Sequence, residues 1–168
     1  MGADEGVLIT PPDKHDYHVV SSLLAEGIKK IGEYDIILCG EASIDLFSGQ
    51  IGPRLAGLLN IPQITYAQSV ITEKDKVTAD RNMGDKAVTT ESSYPVLITV
   101  TKEINEPRLP SLMQILGAAN NPINEWTADS LIKELTSKVE TVELKGVSME
   151  RKNVIYPVSY THLRAHET

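Results

Sequence analysis

Leu38-Cys-Gly-Glu-Ala-Ser-Ile-Asp-Leu-Phe-Ser-Gly-Gln-Ile-Gly-Pro53 is the stretch on which the reading of this chain turns. It opens inside an apolar run, Tyr34 to Gly40, that reads as a strand buried on both faces, as in the middle of a parallel sheet. Small and polar residues follow. Gln50 to Leu59 then has helical spacing, with Pro53 tolerated near the start and Asn60 at the end. A strand that runs through a short loop into a helix puts that loop at the carboxyl edge of a sheet, where ligands of open α/β folds gather. The first amides of such a helix lack an intrahelical acceptor, and the helix dipole adds positive potential, so a phosphate suits the position. Gly49 lets the backbone approach an anion closely, and Ser48 and Gln50 offer side-chain donors. The competing reading is that Gly and Ser only turn the corner here. The stretch is neither a Walker A loop, which needs Gly-Lys-Ser/Thr, nor a dinucleotide GxGxxG.

Working outward, Gly6 to Thr10 reads as a buried strand ended by Pro11 and Pro12. Asp16 to Ile31 carries Val19, Val20, Leu23, Leu24, Ile28 and Ile31 at helical spacing, with Gly32 where a C-cap belongs. Strand, helix, strand, helix predicts a right-handed βαβ unit on a parallel sheet. Gln63 to Ser92 is rich in Val, Ile, Thr and Tyr, and turns at Glu73–Asp75 and Met83–Asp85 predict inserted hairpins. Tyr94 to Thr101 predicts one more buried strand. Leu112–Ala119 and Ala128–Ser137 are expected as short helices, the second capped by Thr127 or Asp129. Val139 to Gly146 alternates and is expected as a strand of an extended tail. Pro157 to Thr168 has no periodic apolar face and reads as non-native sequence, so His162 and His166 are not taken as ligands.

Composition narrows the function classes. The chain has 168 residues, 41% of them hydrophobic and 23% charged, which fits one folded domain with a short extension. A net charge of −7 lacks the positive field that phosphate backbones attract, so nucleic-acid binding is not expected. The single cysteine, Cys39, excludes an intrachain disulfide and a cysteine-based zinc cluster, and its apolar setting reads as a small buried hydrophobe. No apolar stretch approaches the roughly 20 residues that span a bilayer, so membrane insertion is not expected. Met1 to Glu5 has neither the basic start nor the apolar block of a signal peptide, so the expected location is the cytoplasm, or the mitochondrial matrix in a eukaryote. His15 and His18 sit at non-diagnostic spacing, and no catalytic triad or metal cluster assembles.

The opening stretch resembles the nucleotide loop of electron transfer flavoprotein beta (small) subunits, roughly Gly-Lys-Gln-Ala-Ile-Asp-x-x-x-x-Gln-x-Gly-Pro. Gly40, Ile44, Asp45, Gln50, Gly52 and Pro53 match, whereas Glu41, Ala42 and Ser43 depart from the pattern and Leu46-Phe47 replace residues often polar or Gly. Gly2-Ala-Asp4 before an apolar strand resembles an internal motif of that family, which implies a chain truncated at its N-terminus, with the family's first strand upstream. Asn105-Glu-Pro-Arg108 and the loop after it resemble the family's Asn-Glu-Pro-Arg-Tyr segment.

The resemblance implies an adenine nucleotide alpha hydrolase-like (Rossmann-like) α/β domain over residues 1–137. A C-terminal extension over 138–156 and the non-native tail over 157–168 would follow. It implies an electron carrier rather than an enzyme, paired as a heterodimer with an alpha subunit that shares a FAD. AMP, or a second FAD, would sit on Gly40, Ile44, Asp45, Ser48, Gly49, Gln50 and Ile51. It implies that Leu112, with Pro110 and Ser111 before it, docks onto partner dehydrogenases such as acyl-CoA dehydrogenases, with a quinone reductase as acceptor. Gly117 to Asn120 stand where the family often has basic residues, and Asn82 follows the strand-ending Arg81 where an acidic residue is common. Against the docking role stands a core reading, in which Leu112, Ile115 and Leu116 form a helix stripe facing inward. Two further readings compete: a stand-alone adenine-nucleotide-binding regulatory domain of the universal-stress type, and a hydrolase, which the lack of a catalytic cluster opposes.

Overall fold

A computed structural model of the chain describes residues 2–44, 46–143 and 145–146. The first strand, β1 (Gly6–Thr10), leads through the Pro11-Pro12 turn into helix α1 (Tyr17–Ile31). The start of α1 is fixed by Asp16, whose Oδ1 accepts the Val19 amide at 2.8 Å. Strand β2 (Ile36–Gly40) and helix α2 (Ile51–Leu59) follow, and α2 stops at Asn60 in the left-handed conformation.

The chain then builds β3 (Gln63–Thr72), β4 (Lys76–Asn82), β5 (Ala87–Ser93) and β6 (Val96–Val100). One sheet runs β2-β6-β3-β4-β5. Its first three strands are parallel, whereas β4 and β5 are antiparallel hairpin strands. Both hairpins turn where the sequence predicts, after Thr72 and after Asn82.

Strand β6 is the centre of the core. Val96 and Ile98 face one way, into a cluster with Ile64, Ala67, Val77 and Ala79. Leu97 faces the other way, against Ala25 of α1 and Leu55 and Ala56 of α2. Burying each such aliphatic side chain stabilises the fold by roughly 1.5–3 kcal/mol. Cys39 is half-buried beside the second cluster, and that burial pushes its thiol pKa up.

Three expectations need correction, and one strand was not foreseen. The predicted βαβ unit is split among the described residues. Strand β1 pairs in parallel with β7 (Ile123–Thr127) in a separate two-stranded sheet, while β2 pairs with β6. Helical periodicity shows that α1 has a face to bury but says nothing about which strands accept partners. Strand β7 itself was not predicted: Ile123-Asn-Glu-Trp-Thr127 is mostly polar, and its pairing with β1 defines it. The last helix, α4, covers only Ala128–Leu131, because Ile132 turns extended; Ile132 and Leu135 line a hollow that α1 and α2 also border. Finally, the described residues between Val139 and Gly146 form no strand, and Val139 and Val142 are exposed without a ladder to join. The predicted tail from Pro157 lies outside the described residues. No helix among the described residues is long and apolar enough to cross a membrane.

Candidate functional site

The carboxyl ends of β2 and β6 meet the middle of β3, near Ala67, at one edge of the large sheet. Beyond Gly40, the Glu41 amide donates to the Val100 carbonyl at 3.0 Å, so the loop leaves the sheet still tied to β6. It then folds back on itself: Phe47 donates to the Ser43 carbonyl at 3.0 Å and, like Gly49, has left-handed backbone, with φ values of 46° and 60°. A side chain at Gly49 would meet the Glu41 carbonyl at 3.3 Å and the Tyr66 hydroxyl at 3.7 Å, so this turn needs glycine twice over. At Gly52 an added Cβ would lie 2.5 Å from Thr99 Cγ2, which shows how closely the first turn of α2 rests on β6. The helix start is thereby pressed onto the sheet edge, with its first amides outside the i→i−4 ladder.

Around that start the predicted residues divide. Gly40 is exposed at the strand end, and Ser48, Gly49, Gln50 and Ile51 are half-buried along the turn into α2. Ile44 is 98% exposed and packs on nothing. Asp45 lies outside the described residues. Gln50 does not cap the helix: its Oε1 accepts from Arg54 Nε and Nη2 at 3.1 and 2.9 Å. The edge is open, with Leu46 and Phe47 also exposed. A hollow of about 470 Å³ between α1, α2 and the segment after α4 lies elsewhere and includes none of these residues.

The predicted docking residues sit on a separate arm. A short 3-10 turn, Lys102–Ile104, follows β6, and Asn105, Glu106 and Arg108 beyond it are exposed, with Asn105 Nδ2 donating to the Glu106 carbonyl. Helix α3 (Leu112–Ala118) then opens with a capping box. The Ser111 hydroxyl accepts the Gln114 amide at 3.3 Å, and Gln114 Oε1 accepts the Ser111 amide at 2.9 Å. Pro110 and Ser111 are exposed, and Leu112 is 71% exposed, with Leu109, Met113, Ile115 and Leu116 exposed beside it. Among the described residues, none covers the stripe of Leu112, Ile115 and Leu116.

The family model described as "Electron transfer flavoprotein domain" matches residues 1–131. The chain belongs to the electron transfer flavoprotein family. It is 39% identical to the electron transfer flavoprotein subunit beta of Megasphaera elsdenii, over 73% of this chain and 48% of that protein. With the subunit beta of Clostridium acetobutylicum it shares 35% identity, over 94% of this chain and 64% of the relative. Subunit CarD of the caffeyl-CoA reductase-Etf complex of Acetobacterium woodii is 35% identical over 78% of this chain and 51% of its own length. The chain thus spans about half to under two-thirds of the curated relatives it matches.

Two residues at this edge of the electron transfer flavoprotein domain were missed by sequence reasoning. Arg54 was readable, since a residue four positions after Gln50 lies on the same helix face. Tyr66 was not. It has left-handed backbone, with φ 59°, in a segment where the ladders of β3 with both β4 and β6 shift register. Nothing in the local sequence announces such a bulge.

Proposed function

We propose that this chain serves as the beta-type subunit of an electron transfer flavoprotein. In this reading it forms a heterodimer with a FAD-bearing alpha subunit and carries electrons in the cytoplasm from dehydrogenases, acyl-CoA dehydrogenases among them, to a quinone reductase. Family membership supports the electron-transfer role, and the relative named as part of a caffeyl-CoA reductase-Etf complex supports assembly with a redox enzyme. FAD, shared with the alpha subunit, supplies the redox chemistry when bound. In this reading no residue of this chain needs to act as an acid, base or nucleophile.

The subunit's own ligand in this reading is AMP or a second FAD, held for structure. The observation that carries it is the left-handed turn at Gly49, which brings the unladdered amides at the start of α2 to the sheet edge. Gly40, Ile44, Asp45, Ser48, Gly49, Gln50 and Ile51 form the loop around the phosphate. Leu112 is the anchor for the dehydrogenase, with Pro110 and Ser111 presenting it; one apolar anchor among weaker contacts suits a partner that binds and leaves quickly.

Co-expression with a candidate large subunit tests the proposal. The expected product is a yellow heterodimer that releases AMP, or a second FAD, beside the shared FAD when denatured and weighed by mass spectrometry. A colourless chain that binds adenine nucleotides without any partner would instead favour a regulatory domain of the universal-stress type.

A further inference from the structure

We propose that Met113 is a redox-sensitive switch on the docking arm: hydrogen peroxide converts its thioether to a sulfoxide, and the oxidised arm holds a dehydrogenase weakly until the sulfoxide is reduced. The proposal rests on the docking reading of Leu112 above and adds the regulation of that surface.

Sulfur occurs at three places among the described residues: Cys39, Met83 and Met113. Cys39 is half-buried beside the α1–α2 cluster, and burial raises its thiol pKa, so the peroxide-reactive thiolate is scarce there. Met83 is 52% exposed in the turn between β4 and β5. Met113 is the most accessible of the three, 77% exposed in the first turn of α3. Leu116 lies four positions after Leu112 and three after Met113, so these side chains share one helix face. The sulfur therefore sits directly beside the proposed anchor.

In the oxidation a lone pair on the Met113 sulfur attacks one oxygen of the peroxide. The S–O bond forms as the O–O bond breaks, and the second oxygen leaves as water with both hydrogens. The thioether loses two electrons and the peroxide gains them. The product carries a polar oxygen that accepts hydrogen bonds. In water it is satisfied. The fold loses no packing either, because α3 buries none of its side chains and is held by its capping box and by the Ile115 amide on the Ser111 carbonyl at 3.0 Å. Pressed against an apolar partner surface, the same oxygen is left without a donor, and that cost falls on the complex alone. The unoxidised thioether does the reverse, since it is flexible and polarisable and adapts to irregular apolar surfaces. A leucine would serve the same face without the switch.

The test uses the intact two-subunit protein, treated with dilute hydrogen peroxide, cleared of it with catalase and mixed in stopped flow with a substrate-reduced acyl-CoA dehydrogenase. Peptide mass spectrometry follows oxidation at Met113. The expected result is a rise of about fivefold in the concentration giving half-maximal rate, as weakening of a central contact implies, with the limiting rate unchanged. Methionine sulfoxide reductase should reverse it. Met113→Leu, read against its own untreated sample, should show no response to peroxide, whereas Met83→Leu should respond as the wild type does. Failure of peroxide to oxidise Met113, full docking by the oxidised protein, or an undiminished response in Met113→Leu would each overturn the proposal. If Leu112→Ala combined with Leu116→Ala docks as the wild type does, the docking reading fails and the switch with it. If that double variant docks weakly while the sulfoxide form does not, only the switch fails.

Discussion

The edge at Gly40–Gly52 and the arm at Pro110–Leu116 are both exposed, yet they are built in opposite ways. At the edge the proposed ligand contacts are backbone groups. Gly49, Gly52 and Tyr66 are locked by contacts of a few ångströms, and Thr99 touches two of them, through its methyl at Gly52 and its hydroxyl at Tyr66. On the arm the working parts are side chains: α3 carries its own capping box and leaves Leu112, Met113, Ile115 and Leu116 in solvent. The contrast teaches that a substitution at the edge should disturb fold and ligand together. A substitution on the arm should touch only what docks there.

The largest effect is expected where the edge is tightest. In Gly52→Ala the new Cβ meets Thr99 Cγ2 at 2.5 Å, so either α2 or β6 must shift. Overpacking of this kind costs about 2 kcal/mol. Urea denaturation should show that loss, with nucleotide retention falling alongside. Adding Thr99→Ser removes the offending methyl and keeps the hydroxyl that holds Tyr66, so most of the stability should return. Absence of rescue in the double variant would mean that the crowding lies elsewhere and that the edge is looser than the contacts imply.

The same contrast explains what the sequence disclosed. Features set by neighbouring residues were legible: Gly32 after α1, Asn60 after α2, the turns at Glu73–Asp75 and Met83–Asp85, and the strand–loop–helix passage from Leu38 to Pro53. The exposed presentation of Leu112 was half legible, because a stripe of leucines on a short helix reads equally well as core. What stayed hidden depends on partners far along the chain. Strand β7 exists because β1 offers an edge to Ile123–Thr127, more than a hundred residues later. The left-handed Tyr66 lies where the β3–β6 ladder shifts register, a feature set by β6 some thirty residues on. The helix expected over 128–137 ends at Leu131, where Ile132 turns extended, and its later residues line the hollow beside α1.

A smaller effect is expected at a third place, where one carboxylate joins the two modes of construction. Asp16 caps α1 through Oδ1, and its Oδ2 accepts the amides of Lys138 and Val139 at 2.8 and 3.1 Å, pinning the C-terminal extension to the helix start. The Val19 amide foremost, with those two amides and the Ser137 hydroxyl, lowers the Asp16 pKa from 3.8 to about 2. Because the folded-state value is the lower one, this contribution is complete above about pH 4 and fades as pH falls through about 2. Asp16→Asn keeps an acceptor but removes the charge. It should flatten the acid limb of a fluorescence-monitored unfolding curve and leave stability nearly unchanging in slope near neutral pH. An acid limb identical to wild type would show that the extension is not held through this carboxylate.

The smallest effect on the fold, and the sharpest on function, is expected at Leu112. With the side chain 71% exposed and no neighbour packed on it from the core, Leu112→Ala should change unfolding free energy by less than about 0.5 kcal/mol. The flavin complement of the heterodimer should also stay constant, since the arm and the nucleotide edge share no contact that this side chain makes. Electron transfer from a dehydrogenase should nevertheless slow, because removing a central apolar anchor typically costs an interface more than 1 kcal/mol. Stopped-flow reduction at varied heterodimer concentration separates the two components: docking loss raises the concentration needed for half-maximal rate and leaves the limiting rate in place. Unchanged transfer would remove Leu112 from the docking surface and shift attention to Met113 and Leu116 on the same exposed helix. A fall in stability of the size expected at Gly52 would erase the distinction between the edge and the arm altogether.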